Sequence, residues 1–161
     1  MRMETLYLET TIFSFYYDTR PEAEIVARRN WTKEFWEACR NSYEFVTSTA
    51  VLRELERGSK PHKVDALNLA LTLPAVSPDD AVDEIVRVYQ RHKLMPLDPS
   101  GDVLHLALAC YHGHDFLVTW NCQHLANASK TDHIRRVNAL LDLPTPKLVT
   151  PLELLGAGAS D

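Results

Sequence analysis

Hydrophobic positions follow two rhythms along this chain. TLYL at 5–8, EFVTS at 44–48, FLVTW at 116–120 and KLVT at 147–150 have the length and the β-branched and aromatic content of strands. Between them the spacing turns helical: Ala27, Trp31, Phe35 and Cys39 recur every fourth residue in 21–41, a helix with acids near its start. Residues 49–58 predict a short helix stopped by Gly58, and 61–73 another that ends before Pro74. The order Ser77, Pro78, Asp80 predicts a capped helix start at Ser77, with Val82, Ile85, Val86 and Tyr89 as its buried stripe. A helix over 102–112 is apolar nearly all round and therefore buried on most sides, and 131–141 and 151–155 predict the last two helices. Unbroken apolar strands such as FLVTW suit a sheet covered on both faces, and the intervening helices supply the cover. The fold class is α/β, three layers around a mainly parallel sheet.

Length narrows this to one domain. A chain of 161 residues buries a full core without staples, and no repeat or long linker divides it, so 1–155 is read as a single domain and 156–161 as a short flexible tail. No signal peptide or membrane span is present in the pattern, and the expected location is the cytoplasm. Cys39, Cys110 and Cys122 are odd in number and form no C-x-x-C pair, so they are read as reduced thiols. The formal charge of −5 provides no overall attraction for phosphate. Basic groups nevertheless gather at 57–63 (RGSKPHK), 87–93 (RVYQRHK) and 130–136 (KTDHIRR), either as solvated faces and loop ends or as local positive patches.

Candidate chemistry begins at Glu9, a carboxylate directly after the first buried strand and followed by two threonines. In a parallel sheet the carboxyl ends of the strands share one edge, where ligands bind. Glu54 on the helix leaving the second strand, Asp102 in the first turn of the buried helix and Asn121 after FLVT all fall at that edge. Each has a plain alternative: a surface ion pair for Glu54, a helix-dipole contact for Asp102, a loop hydrogen bond for Asn121. Glu9 is harder to dismiss, since a carboxylate beside a buried strand must be paired, protonated or bound to a cation. Clustered carboxylates repel one another until a hard cation joins them, and magnesium or manganese, with its oxygen preference, answers that need. The chemistry that follows is metal-assisted hydrolysis of a phosphodiester.

YLETTIFSF, STAVLRELERG, DPSGDVLHLALA and FLVTWNCQHLAN together resemble the PIN-domain family, specifically the VapC-like toxins of toxin–antitoxin pairs, over nearly the whole chain. The resemblance implies a three-layer α/β/α fold, a magnesium- or manganese-dependent ribonuclease acting on RNA, a homodimer, and inhibition by an antitoxin protein. Residue by residue it makes Glu9, Glu54 and Asp102 the metal-binding acids and adds Asn121 to the catalytic set, where many members carry a fourth acid. Glu9 is one methylene longer than the family's usual aspartate, and neutral Asn121 adds no charge.

Around these acids, Thr10, Thr11 and Thr119 can orient carboxylates or a phosphate, and His124 and Asn127 are candidate RNA contacts; Thr10, Thr119, His124 and Asn127 form the predicted substrate-binding set. His105, three residues after Asp102, reads as a satisfied core histidine, and Trp31, Phe35 and Trp36 as core or dimer surface. Two other functions compete. One keeps the fold as a catalytically weak module that binds RNA or a protein partner. A signalling receiver domain is the other, but it expects paired acids after the first strand and a lysine at the carboxyl end of the last, where this chain has Glu-Thr-Thr and a Lys147 that comes too early.

Overall fold

The computed structural model describes residues 2–95, 98, 101–123 and 125–159, without the side chains of 157–159. Five strands, β1 (Thr5–Leu8), β2 (Glu44–Ser48), β3 (Ala75–Val76), β4 (Phe116–Val118) and β5 (Lys147–Val149), pair in the order β3-β2-β1-β4-β5, every pair parallel. The helices are α1 (Thr10–Tyr16), α2 (Ala23–Cys39), α3 (Thr49–Arg57), α4 (Lys63–Ala70), α5 (Asp80–Arg91), α6 (Asp102–Tyr111), α7 (Ala128–Leu140) and α8 (Pro151–Ala159).

Register assigns the two faces. Leu6 lies opposite Phe45 and Phe116, and Tyr7 opposite Val46 and Leu117, so alternation sends these two rows to opposite sides of the sheet. Phe45 meets α2, stacked on Phe35 at 5.4 Å and edge-on to Trp36 at 5.0 Å. Tyr7 meets α6 on the other face. That second layer is tied together by a buried polar junction, in which the Tyr89 hydroxyl of α5 donates to Asn138 of α7 at 2.5 Å and Asn138 donates to Cys110 Sγ of α6 at 3.3 Å. The α/β, parallel, double-covered architecture is the one the hydrophobic pattern implies, and Trp36 and Phe35 are core.

Several local readings change. Helix α1 has no predicted counterpart, because TTIFSFY is made of β-branched and aromatic residues with modest helix propensity. It forms because Glu9 caps it, accepting from the Thr11 backbone N–H at 3.2 Å, and because Ile12 and Phe13 are fully buried. Ser77 is not a cap: Asp79 takes that place, accepting from Val82 N at 3.0 Å, and α5 starts at Asp80. Strand β3 is two residues long, too short to show a period. Helix α8 continues to Ala159 through most of the residues read as a tail, and 160–161 lie outside the described residues. The three cysteines are free, Cys39 and Cys110 buried and Cys122 exposed, and no described helix is long and apolar enough to cross a membrane.

The turn from α1 into α2 is held by Asp18, whose buried carboxylate accepts from the Arg20 backbone at 3.1 Å and from its guanidinium at 2.7 Å. These contacts hold the carboxyl at about 2, below its usual 3.8. A depressed carboxylate pKa stabilises the fold above the unfolded value and ceases to do so as pH falls through the folded one. Asp18→Asn should therefore cost about 1–2 kcal/mol at neutral pH, after discounting for the exposed guanidinium. The gap to wild type should close between about pH 4 and about pH 2. Urea unfolding across that range checks it; a gap that stays constant with pH excludes the carboxylate as the cause.

Candidate active site

The strand order reverses between β1 and β4, so a crevice opens beyond their carboxyl ends. Glu9 stands there at the end of β1 and is only 4% exposed. Its Oε1 accepts from Thr11 Oγ1 at 2.5 Å and from Thr119 Oγ1, at the end of β4, at 2.7 Å. No ion pair joins Glu9 to a lysine or arginine among the described residues. Burial pushes its carboxyl above the usual range; a charged His105 and the Thr11 and Thr119 hydroxyls pull it back, and Asp102 adds to the rise.

Helix α3, capped by Ser48 Oγ accepting from Val51 N at 3.2 Å, carries Glu54 to the same edge. There Oε2 accepts from Thr10 Oγ1 at 2.6 Å and Oε1 faces His105 Nε2 at 2.7 Å. Asp102, 1% exposed, opens α6, and its Oδ2 accepts from Asn121 Nδ2 at 2.6 Å. The first turn of α6 is held by Asp98, which accepts from Asp102 N at 2.7 Å and Val103 N at 3.2 Å. Gly101 makes that turn at φ +74°, and a Cβ there would sit 3.6 Å from Glu54 Oε1.

His105 is fully buried, and it joins the site to the core. Glu54 can only accept when ionised, so Nε2 donates to it. A neutral ring then accepts at Nδ1 from Tyr7 OH, 2.7 Å away, and Tyr7 OH accepts from Ser48 Oγ, also at 2.7 Å. Ser48 in turn accepts from Val51 N, so every hydrogen in the chain has an acceptor. In the protonated ring the direction from His105 to Ser48 reverses. Burial opposes that charge, but the Glu54 hydrogen bond and the charges of Glu9, Glu54 and Asp102 outweigh it and raise the His105 pKa.

The structure thus brings Glu9, Glu54, Asp102 and Asn121 to one edge, as predicted. Among the described residues, the ligand atoms that come within 4.8 Å of one another belong to Glu9, Glu54 and His105, with Asp102 one turn earlier on the helix of His105. His105 is the satisfied core histidine of the sequence reading, and it is also a member of the cluster; its i, i+3 spacing from Asp102 was the available signal. Thr10 and Thr119 spend their single hydrogens on Glu54 and Glu9, so they orient carboxylates here and have no hydrogen left for a phosphate. Asn127 caps α7, its Oδ1 accepting from Ser129 N at 3.0 Å. His124 lies outside the described residues.

No family model and no curated protein matches the chain in sequence. Solved structures do match in shape. VapBC2 from Rickettsia felis, solved bound to a DNA fragment from their promoter, superposes with a TM-score of 0.58 at 16% identity, over 91% of this chain and 98% of that one. FitAcB from Neisseria gonorrhoeae superposes with a TM-score of 0.51 at 15% identity, again over 91% and 98%. At this identity the likeness is one of fold. The five-stranded parallel sheet in this order is PIN-like, as the sequence resemblance implies.

Proposed function

We propose that the protein is a metal-dependent endoribonuclease that hydrolyses RNA phosphodiester bonds in the cytoplasm, as the toxin of a toxin–antitoxin pair. The observation that carries this reading is the burial of Glu9 among like charges, beside Glu54 and Asp102, with no lysine or arginine as its ion-pair partner among the described residues. Hydroxyls hold Oε1 of Glu9, and no hydrogen bond reaches Oε2 among the described residues. A set of oxygen donors in that state fits a hard divalent cation. Glu9, Glu54 and Asp102 would hold magnesium or manganese, with His105 adjacent. Such an ion lowers the pKa of water and offsets charge on phosphoryl oxygens.

The chain's own residues do the positioning. Thr11 and Thr119 orient Glu9, Thr10 and His105 clamp Glu54 from both oxygens, and Asn121 orients Asp102. His124 and Asn127, which follow Asn121 in the sequence, are the RNA contacts in this reading. A homodimer and an antitoxin partner belong to this reading through the fold resemblance.

Purified protein incubated with an RNA pool and magnesium, manganese or chelator tests it. Asp102→Asn keeps an acceptor for Asn121 and should lose at least about 100-fold in metal-dependent cleavage without loss of fold. Equal cleavage by wild type and variant under limiting metal excludes the site. The neutral Asn121 at the fourth position favours a second reading, a catalytically weak module that binds RNA or a protein. Calorimetric titration separates them: the nuclease takes up magnesium or manganese stoichiometrically, and the binding module does not.

A further inference from the structure

Beside Glu54, away from the sheet, lies a cleft of about 440 Å³ between α1, the start of α4 and the turn that joins α3 to α4. Its acidic end is the site itself, Glu9, Thr10 and Glu54; its other end is made by Lys60, His62 and Lys63, and Phe15, Leu55 and Ala66 give it an apolar wall. The basic residues come from RGSKPHK, the cluster for which the site described so far has no use. Three observations agree on what this end wants. Neither Lys60 nor Lys63 has an acidic ion-pair partner within bonding distance among the described residues; Lys63 Nζ reaches only the Glu56 carbonyl, at 3.1 Å. His62 Nε2 is buried without a hydrogen-bond partner among them. Helix α4 begins at His62 with no side-chain cap, so the positive end of its dipole falls at the basic residues themselves.

We infer that this cleft is a nucleotide subsite, seating the phosphate next to the scissile one on Lys60, Lys63 and His62, with its base against Phe15 and the apolar wall. This rests on the nuclease reading for what happens at Glu54, and adds where the strand lies. The substrate here is single-stranded RNA, whose unpaired base can lie on an aromatic ring such as Phe15 while its phosphate meets the lysines. Its alternation of charge is functional: acids at one end gather the cation, cations at the other hold the chain, and a phosphodiester strand is the ligand that needs both within one nucleotide.

The test is binding, separated from cleavage. Fluorescence anisotropy of a labelled single-stranded RNA in chelator, over a series of salt concentrations, is compared for wild type, Lys60→Ala/Lys63→Ala, and Arg87→Ala/Arg91→Ala. The last removes equal charge from α5, where both arginines are paired with Glu84. The lysine variant should bind at least about fivefold more weakly at low salt, with a log–log salt slope smaller by about 0.7, the value for one phosphate contact on a single strand. The arginine variant should lose less than about half as much. Equal loss in both variants, an unchanged slope, or no RNA binding by wild type overturns the subsite. Loss of binding in the lysine variant together with no cleavage under any metal supports the subsite and rejects the nuclease reading.

Discussion

Glu9→Gln should reduce metal-dependent RNA cleavage by at least about 100-fold and leave the metal-free protein as stable as wild type or more so. The substitution is nearly isosteric. A glutamine carbonyl oxygen can keep the bonds from Thr11 and Thr119, with the amide nitrogen where Oε2 stands. What disappears is a buried negative charge whose pKa is raised by burial and by Asp102. A carboxyl with a raised pKa favours the fold while protonated and opposes it as pH rises through the unfolded value towards the folded one. The stability advantage of the variant in chelator should therefore grow as pH rises above the ordinary glutamate value of about 4.5. Added magnesium or manganese should raise the wild-type melting temperature by mass action and should barely move that of the variant. Melting curves and cleavage assays on the same preparations decide it: a variant that still cuts RNA, or is still stabilised by metal as wild type is, removes Glu9 from the site.

Tyr7→Phe carries the largest expected effect on stability, a loss of about 2–4 kcal/mol. The ring stays, so packing against β2 and α6 is little changed. Its hydroxyl, however, serves both Ser48 Oγ and His105 Nδ1 at 2.7 Å in a wholly buried position. Removing it leaves His105 Nδ1 and the Ser48 hydroxyl hydrogen without a partner where water does not reach, at about 1–3 kcal/mol for the first and less for the second, whose oxygen still accepts from Val51 N. The functional consequence runs through His105, which loses the contact that sets its ring orientation and so clamps Glu54 less firmly. Cleavage at saturating RNA should fall while the apparent KM changes little, because the subsites for the strand are elsewhere. Urea unfolding with a loss below about 0.5 kcal/mol contradicts the relay.

The legibility of the molecule follows the range of the interactions involved. Strands and long helices announce themselves through period, since burial of one face or both is written into consecutive residues. α1 and β3 do not, because a cap on Glu9 and pairing with β2 create them. At the site, the charges are legible from element order: Glu9 follows β1, Glu54 leaves β2 on α3, Asp102 opens the helix that runs back to the start of β4, and Asn121 follows β4, which brings all four to one sheet edge. Tertiary structure alone decided which atoms meet. It set His105 between Glu54 and Tyr7, gave Thr10 and Thr119 to carboxylates, turned Asn127 into a cap, and placed Lys60, His62 and Lys63 across a cleft from the acids. Hydrogen-bond partners at the site lie within about 3 Å in space but 110 residues apart along the chain in the case of Glu9 and Thr119, and no local pattern encodes a distance of that kind.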